Sequence, residues 1–154
     1  MMIFERRSHL FIGALICAAV GLRVFVSIYS VGTNDVGAWH RFAASIDQVG
    51  LWQLYAVDSG SNNPPFGALL VWLLYKIHTV TGLAFPLLLR VPGIIGDLLT
   101  LSIVGFGKRL PIETNRTAFL LLYGFAPVPL LLSGYHGNLD PLVGALSFLS
   151  VWVI

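Results

Sequence analysis

The sequence predicts an all-α fold: a polytopic transmembrane helical bundle with a long outer loop that carries short amphipathic interfacial helices. Three observations predict it. Of the 154 residues, 56% are hydrophobic and only 10% are charged, whereas an ordinary soluble domain carries about 25% charged residues. The mean hydropathy is +0.83, so polar side chains are too few to cover a water-facing globule of this size. The apolar residues also fall into runs of roughly the 20 residues that a helix needs to cross a hydrocarbon core of about 30 Å. A net charge of +2 is too slight for a surface that tracks phosphates, so no nucleic-acid partner is expected. The single cysteine, Cys17, lies in an apolar run and allows neither an internal disulfide nor a cysteine-rich zinc site.

The first span covers about residues 9–30 and is interrupted only by Arg23. It is too long for the apolar core of a signal peptide, and no A-x-A signal follows it. With Glu5, Arg6 and Arg7 before it, it reads as an uncleaved helix with a cytoplasmic N-terminus. The loop from Val31 to Pro64 comes next. Within it, Asp35–Val49 has Val36, Trp39, Phe42, Ala43 and Ile46 at helical spacing, with Asp35, Arg41 and Asp47 off that face. Thr33 or Asn34 would cap this helix, and Gly50 would end it before a second short run, Leu51–Val57. Asp58 to Pro65 is a turn-rich linker.

Residues 65–81 pose a choice. The segment is apolar at its centre but carries Lys76 and His78. If it crossed, Lys108, Arg109 and Arg116 would fall outside, against the positive-inside rule. An interfacial or re-entrant segment keeps them cytoplasmic, and Pro65, Trp72 and Tyr75 suit that placement. It also leaves the sequon Asn115-Arg116-Thr117 on the cytoplasmic side, unglycosylated. Further spans follow at about 85–106, 117–133 and 139–154. The last has no polar flank, so the chain is expected to be one membrane domain, the N-terminal part of a larger module, inactive by itself.

Several polar residues invite a chemical reading. Asp35 follows the first span directly and serves either as a general base or as a favourable negative charge at a helix N-terminus. Asp140 opens the last span in His136-Gly137-Asn138-Leu139-Asp140-Pro141. Helix capping explains one acid there, and an open, ligand-accessible turn explains His136 and Asn138 as well. Arg23 and Asp97 lie inside spans, where a charge costs at least about 2.5–3.5 kcal/mol. Both sit about 10 Å inward at 1.5 Å per residue, so a structural ion pair is expected. Arg90, at the outer mouth of its helix, would grip a lipid phosphate bidentately or snorkel to headgroups. His9, His40 and His78 are scattered, and no metal site is expected.

Taken in order, Asn34-Asp35, Gly50-Leu51-Trp52-Gln53-Leu54-Tyr55, Asn63-Pro64-Pro65-Phe66, Leu89-Arg90-Val91-Pro92, Lys108-Arg109 and Ser133 to Pro141 resemble the N-terminal half of the GT-C superfamily of integral-membrane glycosyltransferases. The set looks most like the polyprenyl-phosphate-sugar-dependent mannosyltransferase and aminoarabinose-transferase type. The resemblance implies transfer of a sugar from a polyprenyl- or dolichyl-phosphate carrier to an acceptor lipid, glycan or protein on the outer or luminal face. Asp35 would correspond to the base that activates the acceptor hydroxyl. Asp140 would be the second acid, with Arg90, His136 and Asn138 as substrate contacts. A lone acid in each motif argues against a divalent metal, and no cofactor is implied. The setting would be the bacterial cytoplasmic membrane or the endoplasmic reticulum. The competing reading is a non-catalytic polytopic membrane protein, such as a transporter piece or assembly subunit.

Overall fold

The structure, a computed structural model, describes residues 2–57, 64–107 and 115–153, and its elements there are all helices. α1 runs over Met2–Tyr29, α2 over Asn34–Val49, α3 over Leu51–Val57, α4 over Pro65–Thr81 and α5 over Phe85–Phe106. α6 covers Arg116–Phe125, α7 Pro127–Leu131, a π-helix Leu132–His136, and α8 Asp140–Val153. The basic turn at Lys108-Arg109, residues 58–63 of the expected linker and Ile154 lie outside the described residues.

Local chemistry sets most of these boundaries. Gly50, at φ +90°, closes α2 by donating its N–H to the Ile46 carbonyl. Pro65 stands in the first turn of α4, where its missing N–H costs nothing. The span expected over 117–133 is not one straight helix. Pro127 has no N–H to offer the Tyr123 carbonyl four residues earlier, so α6 stops at Phe125. Its continuation, Pro127–His136, sets off at 47°.

Contacts at several levels fix the helix directions. Arg23 pairs with Asp97, Arg90 reaches the carbonyls of Ser27 and Ser30, and Gly105 lies against Ile12 and Ile16. As residue numbers rise along α1 they fall along α5, so the two are antiparallel. α6 runs with α1, because Gly124 meets Ala19 and the chain then reaches His136 beside Thr33. α8 runs with α5, with Gly93 against Asn138 and Gly96 against Pro141 and Leu142. α1 therefore ends, and α5 begins, at one end of the assembly. The excursion α2–α3–α4 leaves and returns at that same end, called here the site end. Asn115, at the start of α6, stands at the opposite end.

Each layer has its own apolar contact set. Ile12, Ile16, Ala19, Leu101 and Leu120 join α1, α5 and α6. At the site end Val36, Ala43, Val71, Leu74, Phe85, Leu88, Leu89 and Leu139 pack the excursion onto α5 and the start of α8. Ile46, Leu54 and Ala68 tie α2, α3 and α4 together. The outward faces remain apolar, with Phe11, Phe25 and Ile28 on α1 each more than half exposed.

Two stretches, Ser8–Tyr29 and Phe85–Phe106, are long and apolar enough to cross a membrane; the bent pair Arg116–Phe125 and Pro127–His136 makes a third if taken as one span. The apolar part of α8, Asp140–Val151, is shorter. α4 forms a helix over the whole of 65–81 and is not among those long and apolar enough to cross.

Candidate functional site

The site forms where three segments meet: the turn between α1 and α2, the π-helix, and the start of α8. Gly32 makes the first possible. Its φ of +92° suits glycine. A Cβ there would lie 2.5 Å from Arg90 Nη2 and 2.9 Å from the Tyr135 carbonyl oxygen. The chain then enters α2 with Asp35 in the first turn, where the helix dipole favours a carboxylate. Thr33 occupies the cap position, but its hydroxyl makes no capping bond. It sits instead 3.0 Å from His136 Nδ1.

The π-helix brings His136 to this point. Its other ring nitrogen, Nε2, lies 3.0 Å from Asp35 Oδ2. A carboxylate only accepts, so Nε2 carries the proton, and in the neutral ring Nδ1 then accepts from the Thr33 hydroxyl. Both ring nitrogens are therefore engaged. Across the gap, Asn138 Nδ2 donates to Asp140 Oδ2 at 2.7 Å, and Asn138 Oδ1 accepts the Asp140 backbone N–H at 3.2 Å. Asn138 thus both caps α8 and fixes the Asp140 carboxylate.

Asp35, His136, Asn138 and Asp140 line one cavity of about 340 Å³, walled by Ala38, Trp39 and Phe42. A second, mostly apolar groove of about 450 Å³ shares Trp39, Asn138 and Asp140 with it and continues along Phe66, Leu70, Leu142 and Val143. Gly96 permits this placement of Asp140, since a Cβ there would lie 2.4 Å from the Pro141 carbonyl. Among the described residues no three of His, Cys, Asp or Glu stand close enough together to hold a metal ion.

Arg90 requires a correction. It is not an open headgroup or phosphate contact at a helix mouth but is 0% exposed. Nη1 donates to the carbonyls of Ser27 (2.7 Å) and Ser30 (3.0 Å), and Nε and Nη2 both donate to Tyr135 (3.2 and 3.0 Å). The reason is physical. The last carbonyls of α1 have no partner within their own helix, and a five-donor planar cation satisfies several at once. Arg90 thereby joins the end of α1 to the π-helix one residue before His136.

Arg23 and Asp97 come together below the site, both 0% exposed, with Nε 2.5 Å from Oδ2. Asp97 also accepts from Tyr123 Oη (2.7 Å) and Ser133 Oγ (2.6 Å). Arg23 donates further to the carbonyls of Ala19 (3.0 Å), Gly124 (2.6 Å) and Tyr123 (3.1 Å). The Tyr123 carbonyl is the one that Pro127 leaves without a helical donor. The break between α6 and α7 and the buried cation answer each other.

Thr33, Tyr123 and Ser133 are the participants that the sequence reading did not single out for these roles. For the last two, a hydroxyl inside an apolar run was the available signal. No family model, curated protein or solved structure matches the chain.

Proposed function

We propose that the chain is a multi-pass membrane glycosyltransferase, or part of one, that moves a sugar from a polyprenyl- or dolichyl-phosphate carrier to an acceptor lipid, glycan or protein at the outer or luminal face. The observation that carries this reading is the shared cavity of Asp35 and Asp140 with an apolar groove opening beside it. A donor that is half sugar and half hydrocarbon needs that combination. Asp35, 59% exposed, takes the proton of the acceptor hydroxyl as that oxygen attacks the anomeric carbon. The bond to the carrier phosphate breaks, and its electron pair leaves with the phosphate. His136 holds the Asp35 carboxylate in place, and Asp140, held by Asn138, orients donor and acceptor where cavity and groove meet.

The helix directions support the membrane placement proposed here. In this reading α1 crosses outward, α5 inward, α6 through the π-helix outward and α8 inward, with the N-terminus cytoplasmic. The excursion returns to its own end, so α4 by itself makes no net crossing. It lies at the interface. The apolar outward faces of α1 suit lipid contact. A transport reading would draw on the deeper charges, Arg23 and Asp97, yet both are sealed and bonded within the protein.

Two measurements test this. Membranes from cells expressing the encoding gene in full are assayed for transfer of labelled sugar from a polyprenyl-phosphate donor, with and without EDTA. Asp35→Ala is expected to abolish transfer without changing membrane insertion, and EDTA to leave it intact. Undiminished transfer by Asp35→Ala would overturn the assignment of the base. For topology, single cysteines at 35 and 140 are expected to react with an impermeant reagent from one side and Ile112→Cys from the other. Opposite labelling of 35 and 140 ends the proposal.

A further inference from the structure

A further cavity lies on the other side of α2 from the two carboxylates. It has a volume of about 600 Å³ and is bounded by Thr33, Asn34, His40 and Arg41 on one flank and by Val31 and Phe85 on the other. No carboxylate lines it. Arg41 is exposed, and it differs from its neighbours in having no anionic or carbonyl partner among the described residues. Arg23 is held by Asp97, Lys76 by Asp47 and Arg90 by three carbonyls. The guanidinium of Arg41 folds back along α2, with Nη1 3.6 Å from where a Cβ on Gly37 would stand. His40 is held beside it, its ring edge-on to Phe85 at 5.0 Å and to Tyr75 at 5.2 Å.

We propose that this cavity binds the phosphate of an anionic membrane lipid, with Arg41 as the charge partner and His40 as a second polar contact. The groove sits where α1 ends and α5 begins, which is headgroup level in the membrane placement above. A free guanidinium there matches a phosphodiester in charge and fork geometry. Val31, 83% exposed, and the half-buried Pro86, which lines the same cavity, offer apolar surface to the glycerol and upper acyl chain. The inference rests on the membrane placement alone and needs no sugar transfer. A failed transfer assay leaves it standing, and a failed lipid titration leaves the transferase reading standing.

The test is native mass spectrometry of the full chain in detergent, titrated with phosphatidylglycerol or phosphatidylcholine. Phosphatidylglycerol is expected to be retained preferentially. Arg41→Ala should weaken it about tenfold, as for loss of one charge-assisted partner, with helicity unchanged. Arg116→Ala, a control at the opposite end, should leave it unchanged. Equal retention by Arg41→Ala and the parent would overturn the proposal. So would displacement of the lipid by millimolar inorganic phosphate, which would mark a site for a free anion.

Discussion

The Asp97→Ala variant gives the sharpest test of how the helices are held. It removes, at once, the acceptor of Arg23 Nε, Tyr123 Oη and Ser133 Oγ, and it leaves a guanidinium without its counter-charge in a fully buried position. Breaking a buried ion pair from one side costs about 3–5 kcal/mol. Arg23 keeps three backbone carbonyls in the variant, which places the expected loss near the lower end, about 3 kcal/mol. Arg23→Ala should cost a similar amount, because it frees the Tyr123 and Gly124 carbonyls and strands Asp97. The double alanine variant should lose clearly less than the sum, with a coupling of about 2–3 kcal/mol. Reversing the pair, Arg23→Asp with Asp97→Arg, is expected to fail as a rescue, since a carboxylate at position 23 would face the same three carbonyl oxygens. Unfolding free energies in detergent, followed by helicity or by steric trapping, measure all four. Single losses under about 1 kcal/mol, or additivity within about 0.5 kcal/mol, would refute the reasoning.

The remaining predictions concern geometry and charge nearer the site. Gly96→Val should push α8 and Asp140 away from α5, costing about 1–3 kcal/mol in thermal unfolding and, under the proposed function, lowering sugar transfer beyond what lost fold explains. Arg90→Lys should cost about 2–3 kcal/mol, because an ammonium cannot serve three separated carbonyls; a surface phosphate contact would show unchanged stability instead. Asp47 is held below its ordinary pKa by hydrogen bonds from Lys76 and then Trp72. The stabilisation this gives is therefore present above about pH 4 and is lost as pH falls through the lowered value. Melting midpoints measured toward acid should show that loss in the parent and not in Asp47→Asn.

Much of the helical layout was legible because it rests on local signals. The apolar run before Ser30, Gly50 after α2 and Pro65 at the start of α4 each act through neighbouring residues. The pairing of Arg23 with Asp97 was also readable, since equal depth below two helix ends left each charge one economical solution. Arg90 was not. Its partners are backbone carbonyls of Ser27, Ser30 and Tyr135, and a carbonyl has no letter of its own in a sequence. The bend at Pro127 was hidden for a related reason. A proline inside an apolar run suggests a kink, but its consequence depends on Arg23, 104 residues earlier in the chain, taking up the freed oxygen. The sequence marks His136 as polar and accessible, while its engagement with Thr33 and Asp35 requires the π-helix to turn it toward α2.

The antiparallel α1–α5 pair has a consequence for how the molecule can be assembled. Its contacts at Gly105, Asp97 and Arg90 do not involve the backbone of the excursion, which starts and finishes beside Arg90. Covalent continuity through α2–α4 should therefore be dispensable to the pairing. Two polypeptides divided within that excursion and synthesised together are expected to find each other and copurify, and Asp97→Ala should weaken the reunion.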